Sequence, residues 1–137
     1  MKIGIVGATG EVGMMMIKNL DEFEIPVKEL RLFASSRSAG KKIKFRNDHI
    51  IVEELTEESM KESFDYLLYS AGSKVSKKFA PIAAEAGNTV IDNSSAFRRD
   101  EKIPLIVPEI NGDLLQNYKG IISNPNCSTI QLVLALK

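Results

Sequence analysis

Lys2-Ile3-Gly4-Ile5-Val6, followed without a break by Gly7-Ala8-Thr9-Gly10-Glu11-Val12-Gly13, decides the fold of this chain. The first five residues are a short apolar run at the N-terminus and read as a buried parallel strand. Beyond the glycines, Met14, Ile17 and Leu20 recur at helical spacing. Strand, glycine-rich turn and helix make a βα unit whose turn can hold a pyrophosphate. Gly7 permits the tight turn, Gly10 lets backbone N–H groups approach the phosphates, and Gly13 lets the helix pack close to the strand. The spacing is G-x-x-G-x-x-G, a variant of the commoner G-x-G-x-x-G. An ordinary βα turn without a ligand is the competing reading.

Working outward, residues 29–34 read as a second strand. An NAD-specific site usually puts an acid at its end for the ribose 2′-hydroxyl. This chain has Ser35-Ser36-Arg37-Ser38-Ala39-Gly40 there instead. Arg37 among the hydroxyls of Ser36 and Ser38 can hold a 2′-phosphate by charge-assisted hydrogen bonds, which points to NADP. A solvated basic turn is the alternative. Residues 41–48 read as a hairpin with Ile43 and Phe45 inward. His49, the only histidine, reads as a surface residue in a charged turn. Thr56 can N-cap a short helix carrying Glu57 and Glu58 in its first turn.

Residues 66–70 read as the next buried strand. The small-residue loop Ala71-Gly72-Ser73 follows at its C-terminal end, where open α/β sheets bind ligands, so Gly72 is a candidate cofactor contact. A helix is expected over 76–86 with Gly87 as its stop, and Pro81 pushes its start toward Ala80. Thr89-Val90-Ile91 is a strand ending in Asp92-Asn93-Ser94-Ser95-Ala96-Phe97-Arg98-Arg99. One of these arginines can clamp an anionic substrate, or both are surface charge. Residues 105–111 read as another strand running into a turn. The alternation predicts an α/β chain with a mainly parallel sheet, a Rossmann-like NADP-binding domain.

The second informative stretch is Ser123-Asn124-Pro125-Asn126-Cys127-Ser128-Thr129. Ile121-Ile122 runs into it, and Ile130, Leu132, Val133, Leu134 and Leu136 follow it. It reads as a strand, a tight polar turn and a helix, with Cys127 at or just before the helix N-terminus. Unpaired N–H groups there favour negative charge, so the thiol is a candidate nucleophile. The other reading is a small buried apolar residue. The Asn-Pro-Asn turn favours the nucleophile, since a core cysteine needs no polar turn beside it.

Composition narrows the classes. Lys+Arg and Asp+Glu are both 18, so nothing argues for a nucleic-acid partner. The single cysteine excludes an internal disulfide and fits a reducing, cytoplasmic setting. No run approaches the ~20 apolar residues that span a bilayer, so no membrane partner is expected. No metal site is read. The chain stops in a helical pattern without a glycine or proline signal, as expected of a piece of a longer protein.

Together these stretches resemble the N-terminal part of bacterial aspartate-β-semialdehyde dehydrogenases. The resemblance runs from Lys2 to the last residue. It rests on the Gly7–Gly13 turn, Ser35-Ser36-Arg37-Ser38-Ala39-Gly40, Asp92-Asn93-Ser94-Ser95-Ala96-Phe97-Arg98 and Asn124-Pro125-Asn126-Cys127-Ser128-Thr129. N-acetyl-gamma-glutamyl-phosphate reductases look similar but usually carry glycine before the cysteine, so Asn126 favours the aspartate enzyme. The resemblance implies an NADP-dependent phosphorylating aldehyde dehydrogenase. It would convert L-aspartyl-4-phosphate to L-aspartate-4-semialdehyde through a thioester on Cys127, in lysine, methionine, threonine and diaminopimelate biosynthesis. Asn126 lies beside the reacting carbonyl, and Arg98, rather than Arg99, binds phosphate or the phosphoryl group. Thr9, Gly10, Glu11 and Val12 contact the cofactor phosphates, and Arg37 and Ser38 hold the adenosine side.

The implied architecture is a dinucleotide-binding domain over 1–127, with 128–137 starting a helix into a second domain. That domain carries a histidine acid/base, a glutamine and an arginine for the substrate, and most of a homodimer interface. The 137 residues alone are expected to turn over little or nothing. A non-catalytic NADP-binding module is the reading from another class.

Overall fold

The computed structural model describes residues Met1–Lys137. Its centre is β1, Lys2–Val6, flanked on both sides by parallel partners: β2, Glu29–Ala34, and β5, Tyr66–Tyr69. Outward from β2 come β4, Asp48–Glu54, and β3, Lys42–Phe45, an antiparallel hairpin strand at the edge. Outward from β5 come β6, Thr89–Asp92, and β7, Ile121–Ser123, both parallel. The strand order is β3-β4-β2-β1-β5-β6-β7. The chain builds one wing, then crosses β1 to build the other. That reversal separates the loops after β1 and β5, which is where open α/β sheets take ligands.

Right-handed crossovers running in opposite directions put their helices on opposite faces. α1, Glu11–Glu22, buries Ile17 and Leu20 with Ile3, Ile5, Leu30 and Leu32 on one face, and Ile43 and Phe45 of the hairpin close the same cluster as expected. α3, Ser73–Glu85, buries Ala80 and Ala83 on the other face with Val6, Phe33, Leu67, Tyr69 and Val90. Between the wings lies α2, Glu57–Met60, whose Met60 joins that second cluster. Thr56 caps α2: its hydroxyl accepts from Ser59 N at 3.1 Å, and Ser59 Oγ accepts from Thr56 N at 3.1 Å. Gly87, with φ +91°, follows the end of α3.

Three sequence expectations are corrected. α3 starts at Ser73 and runs through Pro81. The carbonyl that loses its donor belongs to Lys77, which is exposed, so water satisfies it at low cost. Residues 105–111 are not a strand. Only Leu105 bridges to Ser123; then α4, Pro108–Asn111, starts with proline at N1 and leads into a 3-10 turn, Gly112–Leu115. Asn111 Oδ1 accepts from Val107 N at 2.9 Å and bends the chain there. His49 sits on β4 opposite Lys44 rather than in a turn, but it is exposed as expected.

α5, Cys127–Leu136, departs from the burial pattern. It is apolar on all sides, yet none of its residues is buried, and Leu136 is 75% exposed. No helix in the structure is long and apolar enough to cross a membrane.

Candidate functional site

Because six of the seven strands are parallel, the loops after β1, β2, β4, β5, β6 and β7 share one edge of the sheet. Every candidate residue except those in the first turns of α1 and α5 sits on these loops. The glycine turn follows β1 and the cysteine turn follows β7. Three strand spacings separate them, about 14 Å.

Gly7 has φ +87°, a conformation that L side chains rarely adopt, and its N–H donates to Phe33 O at 2.8 Å. This ties the turn to the end of β2. Gly13 meets the same turn from α1: a Cβ there would lie 2.2 Å from Gly7 O. No side chain caps α1, and Gly10 occupies its N-cap in an extended conformation. The first-turn N–H groups, beginning with those of Glu11 and Val12, are therefore offered to an anion. Glu11 and Val12 are exposed, and Gly13 is buried behind them.

A cleft of about 430 Å³ opens beside this turn. Gly7, Thr9 and Gly10 form one wall; Ser35 and Leu55 come from the ends of β2 and β4. Ser70, Ala71, Val75 and Phe79 close it from the end of β5 and the first turns of α3. Gly72 does not line the cleft. It has φ +85°, serves as the N-cap of α3, and has open space where a Cβ would project. Ser36 and Arg37 are exposed and Ser38 half-buried just outside the cleft, in a turn closed by Ser38 N donating to Ser35 O at 2.8 Å. Arg37 enters no salt bridge, so its guanidinium is unspent.

The cysteine turn is built as expected from a strand, a polar turn and a helix. Asn126 is the N-cap of α5: its Oδ1 accepts from Ser128 N at 2.9 Å. Cys127 is therefore the first helical residue, and its thiol is exposed, 4.0 Å from the same Oδ1. No residue of this chain buries the thiol. Asn126 Oδ1 is occupied by the cap, which leaves its Nδ2 as a donor near the thiol.

Arg98 and Arg99 part company in the fold. Arg99 is exposed. Arg98 is half-buried; its Nε donates to Asn124 O at 2.8 Å and its Nη2 to Asn93 O at 3.1 Å. Asn124 Nδ2 donates to Asn93 Oδ1 at 2.8 Å, which closes the clasp between the ends of β6 and β7. Two of the five guanidinium N–H groups are used in this way, and the rest remain for an anion. A wider depression near Asp21, Pro26 and Arg46 lies by the C-terminal end of α1, away from the strand ends, and offers no nucleophile.

Sequence reading missed the apolar walls Leu55, Val75 and Phe79. Leu55 directly follows a parallel strand, which is a signal in itself. Val75 and Phe79, four residues apart on a helix, look like ordinary core positions. It also missed the Asn93–Asn124 pair, whose partners are 31 residues apart.

Residues 2–118 match the semialdehyde dehydrogenase NAD binding domain. The chain is 50% identical over 138 residues to an aspartate-semialdehyde dehydrogenase of Aquifex aeolicus, covering 99% of this chain and 41% of that protein. Among solved structures it is similar to aspartate semialdehyde dehydrogenase II of Vibrio cholerae complexed with ASA: TM-score 0.94, 48% identity, 99% of this chain and 45% of that one. It is also similar to the Candida albicans aspartate semialdehyde dehydrogenase with NADP: TM-score 0.83, 30% identity, covering 99% and 45%. The chain spans about 40% of the length of the curated relatives it matches. With a doubly wound sheet, a glycine turn at its switch point and a match over most of its length, this chain belongs to the semialdehyde dehydrogenase family, of which it comprises the NAD-binding domain.

Proposed function

We propose that this chain is the cofactor-binding part of an NADP-dependent phosphorylating aldehyde dehydrogenase that reduces L-aspartyl-4-phosphate to L-aspartate-4-semialdehyde. The observation that carries the reading is the exposed Cys127 at the first position of α5, with Arg98 tied to the carbonyl of Asn124 in the same turn. The residues at the C-terminal strand edge would hold the dinucleotide: Thr9, Gly10, Glu11 and Val12, in the Gly7–Gly13 turn and the N-terminus of α1, would take its pyrophosphate. Leu55, Val75 and Phe79 offer apolar walls to a flat ring. Ser36, Arg37 and Ser38 hold the 2′-phosphate just outside, and Gly72 acts indirectly, by starting α3.

In the reducing direction the Cys127 sulfur attacks the acyl-phosphate carbon. A C–S bond forms, the C–O bond to phosphorus breaks, and inorganic phosphate leaves with the bonding pair. The free N–H groups of Arg98 hold that phosphate. The Asn126 amide stabilises the negative charge on the reacting oxygen. A nicotinamide cofactor bound along this strand edge would supply the hydride for reduction of the thioester, and the Cys127 sulfur is the group released. A proton donor is also required, and the only histidine does not serve: His49 lies on β4, five strand spacings from β7, about 24 Å away. We therefore assign residues 1–127 to the dinucleotide domain and 128–137 to the helix leading toward a catalytic and dimerisation domain. Residues 1–137 alone then turn over little or nothing. The whole protein is read as a cytoplasmic homodimer.

Labelling of Cys127 by iodoacetamide, with and without NADP⁺ and with Cys127→Ser as blank, tests this. The expected result is labelling of the folded protein at a rate that NADP⁺ changes and NAD⁺ changes less, with the difference lost in Arg37→Ala. Labelling only after denaturation, with no nucleotide effect, would leave a non-catalytic binding module.

A further inference from the structure

Asp92 is fully buried at the end of β6, and no lysine or arginine pairs with it. Its carboxylate is held by donors alone. Oδ1 accepts from Ser76 Oγ at 2.7 Å and from Ser94 N at 3.1 Å; Oδ2 accepts from Ser94 Oγ at 2.7 Å. Ser94 Oγ in turn accepts from Ala96 N at 3.1 Å. Burying a charge without a counter-ion is costly, and an apolar side chain would serve packing better at this position. What the carboxylate adds is shape: it folds 92–96 into a tight turn moored to α3. That turn delivers Arg98 to the carbonyls of Asn93 and Asn124. The backbone N–H of Asn124 donates to Asp92 O at 2.9 Å, so the main chain joins the two strand ends and side chains set the turn beyond them. Ser123, in register with Asp92 on the neighbouring strand, has a buried hydroxyl with no partner. The side chains fixing the cysteine turn to β6 are therefore Arg98 and the Asn93–Asn124 pair.

We propose that Asp92 is a positioning residue, whose carboxylate sets the turn that holds the positive charge of Arg98 against the Asn124 carbonyl, in the turn that leads to Cys127. The proposal rests on Cys127 being the reactive group. It makes a signed prediction. If Asp92 acted only as a charge, Asp92→Asn would leave the surroundings of the thiol more positive. If it positions Arg98, the same change leaves them less positive, because the turn loosens and the guanidinium drifts.

The test compares alkylation of Cys127 by anionic iodoacetate and by neutral iodoacetamide; the ratio of rates reports local charge. Arg98→Gln should lower the ratio roughly two- to fivefold, the effect of one charge within a Debye length. Asp92→Asn should lower it comparably although Arg98 is still present, and the double variant should fall no further. Ser94→Ala, which keeps the carboxylate but removes one of its donors, should give a partial loss, and Ser94→Thr should retain the ratio. These two variants decide the matter if Asp92→Asn does not fold. An unchanged or raised ratio in Asp92→Asn or Ser94→Ala overturns the proposal while leaving the nucleophile reading intact. Failure of both reagents to label the folded wild-type protein overturns both.

Discussion

Gly13→Ala isolates the close approach on which the nucleotide turn depends. The added methyl would sit 2.2 Å from Gly7 O, 2.8 Å from Ala8 Cα and 2.9 Å from Gly7 C. All three are backbone atoms, so no side chain can swing aside. Reaching an ordinary contact of 3.4 Å requires α1 and the turn to separate by about 1.2 Å, the difference between 3.4 and 2.2. α1 carries Ile17 and Leu20, 3% and 8% exposed, into the core over β1 and β2, and that shift loosens both. A clash this deep against backbone takes the upper end of the overpacking cost, about 3 kcal/mol, and alanine's better helix propensity returns about 1, so a net loss of about 2 kcal/mol is expected. For a domain of this size the midpoint of thermal unfolding falls by roughly 8 °C. Gly10→Ala is the control. Its nearest neighbour would be 3.5 Å away, so stability should change by less than about 1 kcal/mol, while a methyl on this cleft-lining residue should weaken nucleotide binding. Circular dichroism melts and nucleotide titrations of both variants separate the two roles. A Gly13→Ala protein that melts within about 2 °C of wild type would refute the packing argument.

Three further predictions concern the scaffold. Asn88 is 1% exposed; its Oδ1 accepts from Phe64 N at 2.7 Å and its Nδ2 donates to Glu62 O at 2.9 Å and Met60 O at 3.3 Å. Asn88→Ala strands these groups and should cost about 2–4 kcal/mol, read as a lower urea midpoint at unchanged slope. Hydrogen bonds from Arg31 hold the Glu53 carboxyl below the usual carboxylate range, against the opposing effect of burial. A lowered folded-state pKa gives stability that is present above the ordinary glutamate value and is lost as pH falls through the folded one. Glu53 is 41% exposed, so the gap between wild type and Glu53→Gln should be only about 0.5–1 kcal/mol at neutral pH, closing in acid. An equal gap at both extremes of a urea-unfolding pH series would contradict this. Burial, and then the charge of Asp92, push the Tyr69 hydroxyl well above the usual tyrosine range. Its contribution is complete below pH about 10 and is lost as pH rises beyond, so its phenolate absorbance should appear together with unfolding rather than before it.

Local signals were legible in the chain. The apolar strand, the glycine turn and the helix after it are specified by neighbours in sequence. So are the Thr56 cap and the polar turn that puts Cys127 at the start of α5; the Asn126 cap itself came from the structure. Arg98 was set apart from Arg99 only by the family resemblance, not by the residues themselves, because the difference depends on two carbonyls, at Asn93 and Asn124, that approach only when β6 and β7 pair. Pro81 misled for the same reason in reverse. Its local cost is real, but packing of Ala80 and Ala83 against the sheet outweighs it. The 105–111 stretch is apolar enough for a strand, yet Ile106 and Val107 are buried ahead of a helical turn that Pro108 starts.

The sequence by itself determined the α/β class, the nucleotide turn, the candidate nucleophile and the arginine-for-acid substitution at Arg37, since each is written within a dozen contiguous residues. Only the tertiary structure decided what surrounds them: the apolar walls of the cleft, the clasp that Arg98 closes, and the buried carboxylate of Asp92. Those depend on strands far apart in the chain ending at one edge of one sheet. That juxtaposition is a property of the strand order, which no local pattern encodes.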